Sequence, residues 1–236
     1  MNRRVAIALL ACSACLTIPA SVRAQADEIH STFDKLLGRY VSPHRDGVNR
    51  VDYGRWKATA ADRAALGGYI EALAAQTPSK LPRDEAFAFW SNLYNALAIR
   101  LVIDNYPLSV LQDIKTEPNP EGVPATASYT DPWKHPRIVV ESRLLSMDAI
   151  ENQIMRPQFK DPRLHYVLNC TSYGRPSLMA RAWRAATLEA DLETAARGFV
   201  NHDRGVTVRP DGKLTVSSLY TWFIADFGGD EAGIIR

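Results

Sequence analysis

Apolar side chains recur at three- and four-residue spacing along much of the chain, and this periodicity predicts a helix-rich fold. Ile29, Phe33, Leu36 and Leu37 form one stripe over 26–40, which Ser42-Pro43-His44-Arg45-Asp46-Gly47 breaks. Leu66, Ile70 and Leu73 form a second over 61–75. The strongest helix follows Pro82, whose fixed φ suits a first turn, with Asp84 and Glu85 near the positive end of the dipole. Phe87, Phe89, Trp90, Leu93, Tyr94, Leu97, Leu101 and Val102 cover too wide an arc for a surface helix, so this element is expected at the centre of the molecule. Asn92 and Asn95 interrupt that apolar surface three residues apart, and a buried amide is costly unless it is hydrogen-bonded.

Between 116 and 136 the chain carries Pro118, Pro120, Pro124, Pro132 and Pro136, which predicts a long irregular loop of the kind that is often functional. A short strand is expected over 137–140. Ser146 caps a helix over 147–156 that Pro157 should end, and Asp161-Pro162-Arg163 then leads into a strand over 164–169. That strand runs out at the small polar stretch Cys170-Thr171-Ser172-Tyr173-Gly174. Thr187 is expected to cap a helix over 188–199, and Pro210-Asp211-Gly212 marks the turn of a hairpin over 205–216. Ser217 or Ser218 starts a last helix with Leu219, Tyr220, Trp222, Phe223 and Phe227, stopped by Gly228-Gly229. With no repeat and no low-complexity linker, residues 27–236 are expected to form a single α+β domain. It should be helix-rich with a small, mainly antiparallel sheet, and a papain- or transglutaminase-like architecture is the candidate.

Composition adds a compartment. Asn2-Arg3-Arg4, an apolar run from Val5 to Leu16 and on to Ile18, Pro19, and small residues ending at Ala24 or Ala26 have the anatomy of a cleaved export signal over 1–26. The run is too short to span a bilayer, so a periplasmic or secreted protein without a transmembrane segment is expected. Leu9-Leu10-Ala11-Cys12 only loosely resembles a lipobox, and lipid anchoring through Cys12 is disfavoured. Cleavage would remove Arg3, Arg4 and Arg23 and no acidic residue, moving the formal charge from +2 to −1. The remaining charges interleave, which does not suit a nucleic-acid backbone. The same cut removes Cys12 and Cys15, leaving Cys170 as the sole cysteine and no internal disulfide.

An unpaired cysteine in an exported protein is either a small core residue or a thiolate put to use. Cys170 sits at a predicted strand end beside Thr171, Ser172 and Gly174, whose amides could receive an oxyanion. A nucleophilic thiol needs a base within about 3 Å. His165 is the nearest in sequence, but on a regular strand the two lie about 16 Å apart on opposite faces, so His135, His202 or Glu151 are alternatives. On the opposite face from Cys170, Arg163, His165 and Asn169 would form a polar row. The histidines at 30, 44, 135, 165 and 202 lack metal-binding spacing, and no phosphate-loop, dinucleotide or serine-nucleophile fingerprint is present, so no metal and no cofactor are expected.

Several segments carry a resemblance. Phe89-Trp90-Ser91-Asn92-Leu93-Tyr94-Asn95-Ala96, Leu145-Ser146-Met147-Asp148-Ala149-Ile150-Glu151 with Arg156, Asp161-Pro162-Arg163-Leu164-His165-Tyr166-Val167-Leu168-Asn169-Cys170, and the closing Trp222, Asp226 and Phe227 look like the domain of unknown function 547 family. The resemblance implies a shared set of Trp90, Asn92, Asn95, Glu151, Arg156, Arg163, His165, Asn169 and Cys170. It also implies that bacterial relatives carry a second cysteine before the proline, where this chain has Arg175-Pro176, which disfavours a two-thiol role.

Three readings follow. Cys170 and His165 are catalytic in a thiol hydrolase or acyl transferase; or Asn92, Asn95, Glu151, Arg156, Arg163 and Asn169 line a non-catalytic pocket for a small molecule or peptide; or the same groups satisfy one another in a buried network. The sequence leaves the ligand and the oligomeric state open.

Overall fold

The computed structural model of the chain describes residues 20–114 and 131–235, with side chains described from Glu28 onward. Residues 1–19 of the expected export segment, with Cys12 and Cys15, lie outside the described residues, as does most of the proline-rich loop, while 20–26 form the start of the first helix. The described chain is α+β and helix-rich. Its helices are α1 (Ala20–Tyr40), α2 (Tyr53–Ala58), α3 (Ala60–Ala74), α4 (Arg83–Asn105), α5 (Met147–Ala149), α6 (Arg156–Phe159), α7 (Leu188–Val200), α8 (Ser218–Trp222) and α9 (Glu231–Ile235). Strands pair as three separate antiparallel ribbons: β1 (Val41–Ser42) with β2 (Arg50–Val51), β3 (Ile138–Val140) with β4 (Arg143–Leu145), and β5 (Val206–Val208) with β6 (Leu214–Val216).

The core is built around α4. From Glu85 to Ile99 every residue of α4 is buried, as its wide apolar arc predicts. By length and composition α4 could cross a bilayer, but α2, α3 and the helical segment 150–155 enclose it, which is how a central helix of a folded core behaves. A second cluster of Tyr166, Phe199, Leu219, Tyr220 and Phe227 joins α7 to the C-terminal segment.

Ser146 caps the next helical run as expected, its hydroxyl accepting the N–H of Ala149 at 3.0 Å. Ser146→Ala should lower unfolding free energy by about 1 kcal/mol in a urea titration. Pro157 does not end that run. Between α5 and α6 the chain widens into a π-helix (Ile150–Met155), and the helix continues past Pro157 until Lys160 turns left-handed at φ 50°. Proline lacks the N–H of a regular turn and crowds the carbonyl one turn back, and a widened turn removes that conflict.

The predicted strand over 164–169 is a second correction. Residues Pro162–Tyr166 form a 3-10 helix started by Asp161, whose carboxylate accepts the N–H of Arg163 at 2.9 Å, and 167–174 follow as irregular chain. Leu164, His165, Tyr166, Val167 and Leu168 are all buried, so the segment has no solvent face for an alternating strand to present. The polar row of Arg163, His165 and Asn169 therefore does not form. Thr187 occupies the N-cap of α7, yet its hydroxyl donates to Asp191 at 2.7 Å and caps no backbone N–H. The last helix ends at Trp222, before Gly228-Gly229, and α9 follows those glycines.

Candidate functional site

The π-helix sets the geometry of the site. In a regular helix Glu151 and Arg156 would point about 140° apart, five residues at 3.6 per turn. The wider turn, closed by Arg156 N–H donating to the Glu151 carbonyl, brings both side chains round to His165. His165 lies between two carboxylates: Nε2 is 2.7 Å from Asp226 Oδ2, and Nδ1 is 3.6 Å from Glu151 Oε1. Its ring stacks on Phe223 with centroids 3.9 Å apart. Arg156 completes the cluster, donating from Nε and Nη2 to Asp226 at 2.6 and 3.1 Å and from Nη1 to Asn152 at 2.8 Å. Burial opposes the Asp226 charge, but hydrogen bonds from Arg156 and His165, with their positive charge, hold its carboxyl below its ordinary value.

Glu151 is the underused member. It is 6% exposed, its Oε2 reaches only Tyr94 Oη at 3.5 Å, and its Oε1 has no hydrogen-bond partner. His165 Nδ1 faces Oε1 at 3.6 Å, and both atoms are buried without a hydrogen-bond partner. Tyr94 Oη in turn accepts from Trp133 Nε1 at 2.8 Å. Burial, then Glu151 and Cys170, push the Tyr94 hydroxyl well above its ordinary range, so it stays a neutral donor.

A cavity of about 500 Å³ opens here, walled by Tyr94, Trp133, Glu151, Cys170, Arg175 and Trp222. Cys170 and Glu151 thus front one space. The Cys170 sulfur accepts a hydrogen bond from Arg175 Nε at 3.3 Å, and the Arg175 guanidinium lies over the rings of Trp222 and Phe223. Arg175 Nη1 is buried without a partner.

The sequence-derived residues separate into groups. Cys170 and Glu151 line the cavity, and His165 and Arg156 stand behind Glu151. The expected Cys170–His165 dyad is absent: neither His165 nor His202 bonds Sγ, the His165 side chain has no exposure, and His202 is engaged with the Asp46 carbonyl and Arg204 N–H. Asn92 exchanges two hydrogen bonds of 2.9 Å with the backbone of Trp183. Asn95 donates to the Val167 carbonyl at 3.1 Å and accepts the Asn169 N–H at 2.9 Å. The Asn169 amide closes the following loop on Thr171 N–H and the Pro176 carbonyl. Asn95 and Asn169 shape the loop that carries Cys170, Asn92 holds the segment at Trp183, and the polar atoms of all three are committed to main chain. Arg163 faces away, paired with Asp161 and Glu189 at 2.8 and 2.6 Å.

Comparison with protein families brings in one match: a model described as a protein of unknown function, DUF547, covers residues 78–200, just over half of the chain. The chain belongs to the DUF547 family. No curated protein and no solved structure matches it. The DUF547 region supplies Tyr94, Glu151, Cys170 and Arg175, while Trp222, Phe223 and Asp226 come from beyond it. Sequence reasoning left Tyr94 in the core and omitted Trp133, Arg175 and Asp226 from the site. The signals were present in the closing Trp222 and Asp226 motif and in Arg175 standing where a cysteine was expected.

Proposed function

We propose that the chain is an exported thiol-dependent hydrolase or acyl transferase that works on a small molecule or short peptide in the Cys170 cavity. Cys170 is the nucleophile, Arg175 holds its sulfur, and Glu151 takes the thiol proton. His165, enclosed behind Glu151 and fixed by Asp226, positions that carboxylate and does not touch the substrate. The observation that carries the reading is the shared cavity: a sulfur hydrogen-bonded by a guanidinium faces the same space as a buried carboxylate with an unpartnered oxygen. A thiolate is the nucleophilic form of cysteine, and a neighbouring cation favours it.

Alkylation by iodoacetamide at neutral pH tests this. Cys170 is expected to react about tenfold faster than N-acetylcysteine, and Arg175→Gln should remove most of that advantage while Arg175→Lys keeps part of it. A rate equal to that of the free thiol, unchanged by Arg175→Gln, would sink the enzyme reading. A binding module is the second reading, favoured by the sulfur's hydrogen bond coming from a guanidinium, with no imidazole bond to Sγ from His165 or His202 among the described residues. Under it Cys170→Ser leaves ligand binding and cellular function intact.

A further inference from the structure

Cys170 stands between two cavities whose walls differ in kind. Cys170 itself fronts the one described above, where, among the described residues, the carboxylates of Glu151 and Asp131 face the guanidinium of Arg175. The next residues, Thr171, Ser172 and Tyr173, front a second cavity of about 450 Å³ whose remaining walls include Tyr53, Val102, Leu108 and Val110. Leu111 lines both, so the two spaces adjoin at Leu111, with Cys170 on the wall of one and Thr171 on the wall of the other. Among the described residues, no charged side chain lines the second cavity. Tyr106, Val110 and Tyr173 on its walls are 37%, 52% and 57% exposed, a concentration of apolar surface left open to solvent.

Resting on the thiol reading, we infer that the substrate is an amide straddling Cys170, with an apolar acyl part in the uncharged cavity and a positively charged amine part in the carboxylate-lined one. An alkyl or aryl arm gains from leaving water in a cavity walled by Tyr53, Val102, Leu108 and Val110. On the other side Glu151 is buried with an unpartnered oxygen, the state in which a carboxylate gains most from a cation. Trp133 and Trp222 add aromatic faces suited to an ammonium group. Arg175 does not cancel this, because its Nε is turned to Sγ and its charge lies over Trp222 and Phe223. Its buried Nη1 lacks an acceptor, which the carbonyl oxygen of the bound amide can supply.

The chemistry then closes. Sγ attacks the carbonyl carbon, an S–C bond forms, and the C–N bond breaks as the thiol proton passes through Glu151 to the departing nitrogen. Water adds to the thioester, the S–C bond breaks, and the sulfur regains a proton. Amide and water have become a carboxylate and an ammonium ion.

The test uses the purified chain and two probes, p-nitrophenyl acetate and p-nitrophenyl hexanoate, with acylation read as nitrophenolate release and as added mass on Cys170. Hexanoate is expected to acylate at least about tenfold faster, and Leu108→Asp should collapse the hexanoate-to-acetate ratio. The hexanoyl thioester is then released with 1,4-diaminobutane or butylamine; the diamine should be the faster by about tenfold, with Asp131→Asn reducing the ratio. Equal acylation by the two esters, or equal release by the two amines, overturns the substrate assignment while leaving the thiol reading standing. If neither ester acylates Cys170, both readings are overturned. The wild-type comparisons need no variant, so an unfolded Leu108→Asp does not decide the outcome.

Discussion

Asp226→Ala is expected to destabilise the protein by about 3 kcal/mol, because it strips a half-buried guanidinium and a fully enclosed imidazole of their common acceptor. The full cost of breaking a buried ion pair is somewhat larger, and the 24% exposure of the Asp226 side chain moderates it. The loss should depend on pH with a definite sign. The folded carboxyl titrates below its ordinary value, so its stabilisation is present above the unfolded value of about 3.9 and disappears as pH falls through the lower folded value. Urea midpoints of wild type and Asp226→Ala should therefore differ by a constant amount near neutrality and converge in acid. Asp161, Asp62 and Glu189 are also held low, so the wild-type curve alone is a composite, and the difference between the curves isolates Asp226. A gap that persists unchanged to the acid limit would mean that Asp226 acts through packing and not through its charge. Since His165 is stacked on Phe223 and held by Asp226, the substitution should also slow Cys170 alkylation.

How much of this was legible depended on what each residue's neighbours do. The central helix was legible because apolar side chains on every face of one segment leave no alternative to burial. Ser146 and the Pro210-Asp211-Gly212 turn were legible because their chemistry is local, a hydroxyl over a free N–H and a glycine at φ 78°. β4 was not. The turn joining it to β3 places Glu141 and Ser142 at positive φ, where glycine, asparagine or aspartate is the usual signal. The 164–169 segment failed for a different reason: alternation separates faces only when one face meets water, and here both are enclosed. Once the strand is replaced by a tight helical turn, the distance argument between His165 and Cys170 no longer applies, and contacts with Glu151 and Asp226 decide the role of His165. The Glu151–Arg156 pairing was equally hidden, because it depends on a π-helix whose extra residue per turn leaves no mark in the apolar period.

The amides on α4 show why polar residues in an apolar helix are ambiguous in sequence. Asn92 and Asn95 were expected in a pocket or a network, and each holds a distant loop by its backbone. That is still a contribution to the site. The segment from Val167 to Pro176 has no regular hydrogen-bond ladder, so side-chain amides must satisfy its peptide groups, and Cys170 is positioned by what they hold.

Asn95→Leu tests that dependence. The substitution keeps roughly the same volume but leaves the Val167 carbonyl and the Asn169 N–H without partners, each inside the core side of the loop. An orphaned buried peptide group costs about 1–3 kcal/mol, so a loss of about 2–4 kcal/mol is expected, partly offset by the apolar side chain. Asn169 is adjacent to Cys170, so the loop should lose its register at the sulfur before the rest of the core loosens. Two measurements separate these effects. Chemical unfolding gives the stability loss, and iodoacetamide labelling under native conditions gives the state of the thiol. The expected result is a folded protein whose Cys170 reacts no faster than N-acetylcysteine, its contact with Arg175 having been lost. Retention of wild-type reactivity alongside the full stability loss would show that Arg175 and Trp222 hold Cys170 by themselves, and that Asn95 serves only the core.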